Sequence, residues 1–145
     1  MNITPGLLAC ETYSVRQLFA DWKLTLETAP AFWKDLGIQG LVLNDMFFKS
    51  WDDAYLDRIK RAAEQQGRMI VGLIMEGNLA ADEADRQRWL ETDRQKMRAA
   101  ARLGCSVVRI NVGGTGSDAD DETVGVERVT GAFQQLLPLA KAVSY

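Results

Sequence analysis

Polar residues follow four short apolar runs in this chain, in the segments GLLACE, LVLND, IVGLIMEGN and VVRIN. The residues that could do chemistry there are Glu11, Asn44, Asp45, Glu76, Asn78, Arg109 and Asn111. Amide and guanidinium groups hold hydroxyl or phosphate groups, and a carboxylate such as Glu76 is suited to act as a general base. The alternative interpretation is structural, with capping of strand ends and an internal ion pair between Arg109 and a carboxylate.

The residue types that are absent exclude several kinds of catalysis. The sequence contains no histidine, so Ser-His-Asp triads, Cys-His pairs and H-E-x-x-H zinc sites are impossible within one chain. Cys10 and Cys105 have no C-x-x-C partner, and we expect them at opposite rims of a parallel sheet, too far apart for a disulfide. We therefore predict that both are buried free thiols.

The glycine-rich and acidic loop VVRINVGGTGSDADDET fails as a ligand-binding motif in two ways. Its glycines fit G-x-G-x-x-G/A, but the dinucleotide fingerprint should follow a first strand and lead directly into a helix. Asp118, Asp120 and Glu122 begin like an EF-hand, but Thr123 replaces the turn glycine and Val129 replaces the bidentate acid. We predict instead that these acids precede a helix N-terminus and stabilise its dipole.

The elements that must position the polar residues form a repeat. Three times, a helical pattern ends in a glycine (Gly37, Gly67 or Gly104), followed by a short apolar run and then by polar residues or glycine. A glycine is the expected residue just past a helix end, because it enters the left-handed conformation without steric cost. With GLLACE as the first strand, the order is strand–helix four times over, which predicts a parallel sheet.

Four helices are predicted between and after the strands. The first starts near Thr28, because Pro30 is tolerated only in a first turn. The second begins with Ser50-x-x-Asp53, close to a capping box, and its inward stripe is Tyr55, Leu56, Ile59, Ala62 and Ala63.

The third, over 81–104, places Leu90, Met97, Ala101 and Leu103 inward, with Trp89 at the margin and its many charges outward. The fourth runs from Thr123 to about Val143, has Val129, Phe133, Leu136, Leu137 and Ala140 on its stripe, and should kink or break at Pro138.

The alternation of side chains along the strands favours a barrel over an open doubly wound sheet. Strands covered by helices on both faces are apolar on both faces, but Arg109 and Asn111 share one face of VVRINV, opposite Val108, Ile110 and Val112. In the same way Val42 shares a face with Asn44, and Gly72 with Ile74 and Glu76. A (β/α)8 barrel needs about 250 residues, so the 145 residues correspond to half of one.

Several segments carry a resemblance to a known family. WDDAYLDRIKRAAEQQGRMIVGLIMEGNLA, DRQRWLETDRQKMRAAARLGCSVVRINVGG and ERVTGAFQQLLPLAKAV resemble the N-terminal half of xylose isomerase-like TIM barrels, the sugar phosphate isomerase/epimerase family. The resemblance extends from Gly6 to Val143, and its cues include the pattern A-x-x-L-G-x-x-x-V-R from Ala100 to Arg109 and L-x-P-L-A in the last helix.

This resemblance implies a (β/α)8 barrel that binds a divalent metal (Mn, Mg or Zn) and moves a proton or hydride between neighbouring carbons of a sugar. In that family the metal ligands come mainly from the fifth to eighth strands, and the sequence stops at AKAVSY, where a fifth strand is expected. We therefore expect this chain alone to bind no metal and to be incomplete or inactive as an enzyme. The alternative is a non-catalytic half-barrel, either a truncated remnant or a small-ligand-binding protein. Because active sites of barrels lie at the carboxyl ends of the strands, we predict Glu76 as the catalytic residue and Glu11, Asn44, Asn78, Arg109 and Asn111 as substrate-binding residues.

Bulk composition sets the remaining expectations. An apolar fraction of 47% and a charged fraction of 26% are those of an ordinary globular domain, here one domain over 1–145. The net charge of −3 disfavours nucleic acid, and neither a membrane span nor a signal peptide is recognisable, so we expect a cytoplasmic protein. The open sheet edges of a half-barrel associate readily, which predicts a homo-oligomer (a dimer) or a complementary half-barrel as partner.

Overall fold

A single parallel sheet of four strands organises the computed structural model, which describes residues 8–115 and 122–143. The strands are β1 (Ala9–Glu11), β2 (Gly40–Asn44), β3 (Met69–Met75) and β4 (Val107–Ile110), and they pair in the order β1-β2-β3-β4. Each strand therefore lies beside its neighbour in sequence, all connections run in one direction, and the sheet has no point at which the strand order reverses. This is the order of a barrel and not of a doubly wound sheet, as the strand faces predict.

Within the described residues, five α-helices accompany the strands: α1 (Arg16–Ala20), α2 (Ala29–Asp35), α3 (Asp53–Gln65), α4 (Glu83–Leu103) and α5 (Glu122–Ala142). Short 3-10 turns follow β1 and β2, at Thr12–Val15 and Asp45–Phe47. The expected start of α2 is confirmed, because Pro30 lies in its first turn. The predicted acids Asp118 and Asp120 lie outside the described residues, whereas Glu122 lies in the first turn of α5. No described helix is long and apolar enough to cross a membrane.

The predicted helix ends are confirmed, but one predicted helix start is wrong. Gly37, Gly67 and Gly104 have φ values of 71°, 62° and 84°, so each ends its helix in the left-handed conformation. At the start of α3 the capping residue is Asp52 instead of Ser50, because Asp52 Oδ1 accepts a hydrogen bond from Tyr55 N at 2.8 Å. The Ser50 hydroxyl donates to the Asp52 carboxylate and so supports the cap from outside the helix.

One face of the sheet packs against the helices and forms the core. It presents Leu41 and Leu43 from β2, and Leu73 and Met75 from β3. From α3 the predicted stripe is buried except for Ala62, which is half-buried. Cys10 and Cys105 are free thiols as expected, although Cys10 is only half-buried.

The two long helices depart from the predicted stripes. In α4 the fully buried alanine is Ala100, whereas Ala101 is half-buried. Two charged residues of α4, Asp93 and Lys96, are also buried, although the sequence pattern placed the charges of this helix outward. In α5 the buried residues are Ala132 and Leu136, while Phe133 and Leu137 are exposed, and the helix continues through Pro138 without a break.

Candidate functional site at the carboxyl rim

A pocket of about 550 Å³ opens at the carboxyl ends of the strands. Its lining residues are Glu11, Tyr13, Asn44, Met46, Ile74, Glu76, Arg109 and Asn111. Five of the six residues predicted as a site therefore lie around one pocket, with at least one from each strand or from the residues directly after it. This is the edge at which barrel enzymes carry their active sites.

Strand register brings these side chains together. Glu11 pairs with Val42 across β1 and β2, Asn44 pairs with Ile74, and Ile74 pairs with Arg109. Because side chains alternate along a strand and register aligns neighbours, these residues share the face that points away from the helices. A register shift at Leu41/Val42 keeps this alignment between β2 and β3.

Two amide–carboxylate hydrogen bonds hold the acids at the pocket. Asn44 Nδ2 donates to Glu11 Oε1 at 3.2 Å, and Asn111 Nδ2 donates to Glu76 Oε1 at 2.8 Å. Glu76 is nevertheless exposed, so its other carboxylate oxygen can reach a ligand in the pocket. Each carboxylate is thus oriented by the neutral amide group of an asparagine.

Arg109 is the cation of the pocket. Its side chain forms no ion pair and no hydrogen bond with the part of the chain that the structure describes. The internal Arg109–carboxylate pair considered as an alternative is therefore not formed among those residues. Its guanidinium, which has five donors in a planar fork, is available for phosphate or hydroxyl oxygens.

Asn44 has a structural role as well. It is buried, its backbone N–H donates to Thr12 Oγ1 at 2.9 Å, and its Oδ1 accepts from Met46 N at 3.1 Å. These bonds end β2 and begin the 3-10 turn that follows. Strand-end capping thus applies to Asn44, whose remaining amide group faces Glu11 at the pocket.

Asn78 does not line this pocket. Its side chain lies against Gly113, at 2.4–2.7 Å from where a side-chain Cβ would stand on that glycine. Its buried Oδ1 has no hydrogen-bond partner within the described chain. Asn78 therefore occupies the junction between the loops that leave β3 and β4.

Sequence reasoning named Asp45 as a polar residue of the rim, but it missed Lys96 and Asp93, which lie beneath the pocket. Asp45 Oδ2 accepts a hydrogen bond from Lys96 Nζ at 2.5 Å and another from Glu76 N at 2.9 Å. Lys96 Nζ also donates to the carbonyl oxygen of Glu76 at 3.2 Å. The only sequence signal is that Lys96 follows Asp93 by three positions, which places both on the same side of α4 as Met97, Ala100 and Leu103.

Asp93 lies beside this pair. Its side chain is fully buried, and neither carboxylate oxygen has a hydrogen-bond partner among the described residues. The pKa of Asp93 is raised to about 6, mainly because burial disfavours the charged form; the positive charge of Lys96 opposes this shift and the negative charge of Asp45 adds to it.

A second cavity, of about 800 Å³, lies toward the amino ends of the strands and extends from the same sheet face to the carboxyl ends of α3 and α4. Its walls are mainly apolar and include Val42, Val71, Ile74 and Val107. Arg109 lines both cavities and therefore marks the boundary between an apolar lower part and a polar rim.

Four sequential βα units, an inner face that is apolar below and polar at the carboxyl rim, and helices on the other face define half of a (β/α)8 barrel. The sequence profile of the xylose isomerase-like TIM barrels matches residues 30–143, and the chain belongs to this family. No curated protein matches the chain significantly.

Solved structures show the same fold. Protein SMc04130 from Sinorhizobium meliloti 1021 superposes with a TM-score of 0.79 at 19% identity, over 95% of this chain and 48% of that one. A D-psicose 3-epimerase, determined in the presence of D-fructose, gives 0.72 at 15% identity, over 85% and 45%. A xylose isomerase domain protein from Planctomyces limnophilus gives 0.62 at 11% identity, over 77% and 43%. The chain thus spans about half the length of the structures it matches.

The described residues do not form the metal site that the family implies. They contain no group of three or more Cys, Asp or Glu side chains that could hold an ion. The carboxylates at the rim pocket, Glu11 and Glu76, extend from β1 and β3 with β2 between them, and each accepts a hydrogen bond from an asparagine. A two-carboxylate set of this kind leaves a hard cation without the oxygen ligands it requires.

Proposed function

We propose that the rim pocket binds a sugar or sugar phosphate, and that this half-barrel contributes the binding and proton-transfer part of an isomerase or epimerase site. The observation that carries the proposal is the convergence of Glu11, Asn44, Glu76, Arg109 and Asn111 on one pocket at the carboxyl rim. The family membership and the similarity to a D-psicose 3-epimerase support this class of ligand.

Each polar group has a role in this proposal. Glu76 accepts the proton from the sugar carbon next to the carbonyl group, which leaves an enediolate, and returns the proton to a carbon of that enediolate. Asn111 holds one Glu76 oxygen and so directs the other toward the pocket. Arg109 stabilises negative charge on the enediolate oxygen or on a phosphate, because it has no competing partner among the described residues.

The metal and its ligands belong to residues outside those described. We therefore propose that binding is a property of this half-barrel and that turnover requires a second half that supplies the metal ligands. The alternative function is ligand binding without chemistry, and the lack of a three-ligand cluster in the described residues favours it.

Binding is tested by following backbone amides in ¹⁵N–¹H NMR spectra during titration with D-psicose, D-fructose and D-fructose 6-phosphate. We expect shifts at residues around the rim pocket and tighter binding of the phosphate ester. Arg109→Gln should weaken binding of the phosphate ester at least about ten-fold, since it removes charge-assisted hydrogen bonds. Glu76→Gln should weaken binding of all three sugars less and should leave the Asn111 contact possible.

The matched controls are Arg98→Gln and Glu127→Gln, which remove one exposed charge of each sign far from the pocket. Both should bind like the wild type. Shifts that are absent at the rim, or equally reduced by the controls, would contradict the proposed binding site. Assays of sugar isomerisation by the pure chain with added Mn²⁺ or Mg²⁺ test the need for a second half, because turnover would contradict both that requirement and the purely binding alternative.

A further inference from the structure

A closed ring of polar contacts surrounds the backbone of Glu76. The Glu76 N–H donates to Asp45 Oδ2, the same oxygen accepts from Lys96 Nζ, and Lys96 Nζ donates to the Glu76 carbonyl oxygen, at 2.9, 2.5 and 3.2 Å. The Asp45–Lys96 ion pair thus forms hydrogen bonds with both backbone polar groups of Glu76.

These backbone groups lie just past the end of the sheet. The register ladder from β2 to β3 ends at Ile74, and the last backbone bond from β4 runs from Asn111 N to Met75 O at 2.9 Å. Backbone groups near a protein interior need partners. Asp45 and Lys96 supply them at Glu76, whose side chain lines the rim pocket.

The ion pair is enclosed. The side chains of Lys96 and Asp45 are 9% and 5% exposed. The ammonium group also lies 6.0 Å from the ring centre of Trp51 and 5.9 Å from that of Trp89. Removing two charges from water is costly, and well-packed apolar residues often give equal stability. Stability therefore does not explain why a charged pair occupies this place.

We propose that Asp45 and Lys96 are positioning residues that fix the Glu76 peptide and thereby aim its carboxylate into the rim pocket. The proposal rests on the role given to Glu76 in the proposed function. It adds that this carboxylate is held from two sides, by the buried pair at its backbone and by Asn111 at its side chain. Such support keeps a reacting group within the small geometric tolerance that proton transfer requires.

The test compares variants by NMR. Lys96→Met alone leaves Asp45 as an unpaired buried carboxylate and is expected to fold poorly. The double variant Asp45→Leu/Lys96→Met removes both charges and the oxygen that accepts from the Glu76 N–H. It is the one to measure, at about pH 5, below the Asp93 pKa of about 6, so that no unpaired charge remains. We expect most amide signals to stay in place, the Glu76 amide signal to move and to exchange with solvent at least ten-fold faster, and the sugar affinity to fall several-fold.

The control is Asp85→Asn/Arg88→Met, which removes an exposed ion pair of the same helix. It should change neither the Glu76 amide nor sugar binding. Lys96→Arg, which keeps the charge, should protect the Glu76 amide from exchange better than the double variant does. In the wild type, nuclear Overhauser contacts between the Lys96 ε-methylene protons and the Glu76 amide provide a measurement that depends on no variant.

The outcomes for the two proposals are separate. If the double variant keeps the wild-type shift and protection of the Glu76 amide, or if the wild type lacks the Lys96–Glu76 contacts, the positioning role is wrong. If the wild type binds none of the sugars, the proposed function is wrong, and the amide measurements still decide whether the pair fixes Glu76.

Discussion

At the scale of single residues, Asp93 is the most unusual side chain of the described chain. It is fully buried, has no hydrogen-bond partner for its carboxylate among the described residues, and lies beside the Asp45–Lys96 ion pair, whose two charges already balance. An ionised Asp93 would give the cluster a net charge of −1, whereas a protonated Asp93 leaves it neutral. The raised pKa of Asp93 follows from this burial.

Asp93 should make the protein less stable as the pH rises. Its pKa rises from 3.8 to about 6 on folding, so between these values the folded state keeps a proton that the unfolded state releases. Stability contributed by this group is present below pH 3.8 and lost as the pH approaches and passes 6. Asp93→Asn removes this dependence, so the free energy of unfolding of the variant relative to wild type should increase by about 2–3 kcal/mol from pH 4 to pH 7.5. Urea unfolding at both pH values measures it.

Other carboxylates make the protein more stable as the pH rises. The quantity to compare is therefore the difference in unfolding free energy between Asp93→Asn and wild type at each pH. Hydrogen bonds from Ser50 and Arg102 lower the pKa of Asp52 and Asp57, respectively, so both contribute stability that is lost in acid. Asp35→Asn, at an exposed site, is the control and should differ from wild type by the same amount at both pH values. A constant difference for Asp93→Asn would show that Asp93 titrates normally.

The rim residues could be predicted from the sequence because strand geometry is local. Side chains alternate with a period of two, so the parity of Arg109 and Asn111 in VVRINV already places them together on one face. The Asp45–Lys96 pair could not be predicted in this way. Its members are 51 positions apart. In a helix with many charged residues, the sequence alone does not distinguish a buried lysine from an exposed one, because the loop that buries it comes from elsewhere in the chain.

At the scale of elements, features that depend on local sequence were predicted, and features that depend on tertiary contacts were missed. Helix ends marked by glycine and long periodic helices depend on local sequence, and they were predictable within a few residues. The short helix α1 and the 3-10 turns after β1 and β2 were not predicted, because they are too short to show a repeated apolar pattern. Tertiary contacts at the strand ends specify them instead. The exposed side chains of Phe133 and Leu137 show that the apolar stripe of α5 is wider than the surface that it packs against, which includes α4.

The loop after β4 provides a prediction at this scale. Gly113 has a φ of 69°, and a Cβ on it would lie 2.4–2.7 Å from three side-chain atoms of Asn78. Gly113→Ala therefore combines backbone strain with a steric overlap, and we expect a loss of roughly 1–3 kcal/mol in the free energy of unfolding. Chemical denaturation of the purified variant measures this loss.

The neighbouring glycine is a matched control, because a Cβ on Gly114 meets no atom within 4 Å. Gly114→Ala should leave stability within about 0.5 kcal/mol of wild type. Adding Asn78→Ala to Gly113→Ala should recover the part of the loss that arises from overlap with the Asn78 amide group. It should not recover the part that arises from the remaining Cβ, at 2.7 Å, or from the positive φ. Equal stability of the two single alanine variants would mean that the loops after β3 and β4 do not pack as described.

At the scale of the whole molecule, the described sheet has two open edges and an uncovered inner face. β1 and β4 each pair on one side only. Exposed apolar side chains line the amino end of this face, with Met69 at 51% and Val107 at 47% exposure. Unpaired strand edges beside exposed apolar surface favour association with another sheet.

We propose that a second copy of the chain covers these surfaces. A two-fold axis along the barrel places β4 of each copy beside β1 of the other, with all strands parallel, and the two four-stranded sheets then give the eight strands of a closed barrel. We expect a mass of about 32 kDa, twice the 16.1 kDa of one chain, in light scattering at micromolar concentration.

Val107→Asp tests this arrangement, because it places a charge on the inner face at the open edge of β4, where the dimer would bury it. It should shift the mass toward that of one chain, since a buried unpaired carboxylate opposes association. Val126→Asp adds the same charge on the exposed surface of α5, where Val126 is 58% exposed, and should leave the dimer intact. A monomeric wild type would contradict the proposal. A dimer that Val107→Asp leaves intact would mean that the copies associate through another surface, and the inner face would then be free for a different half-barrel.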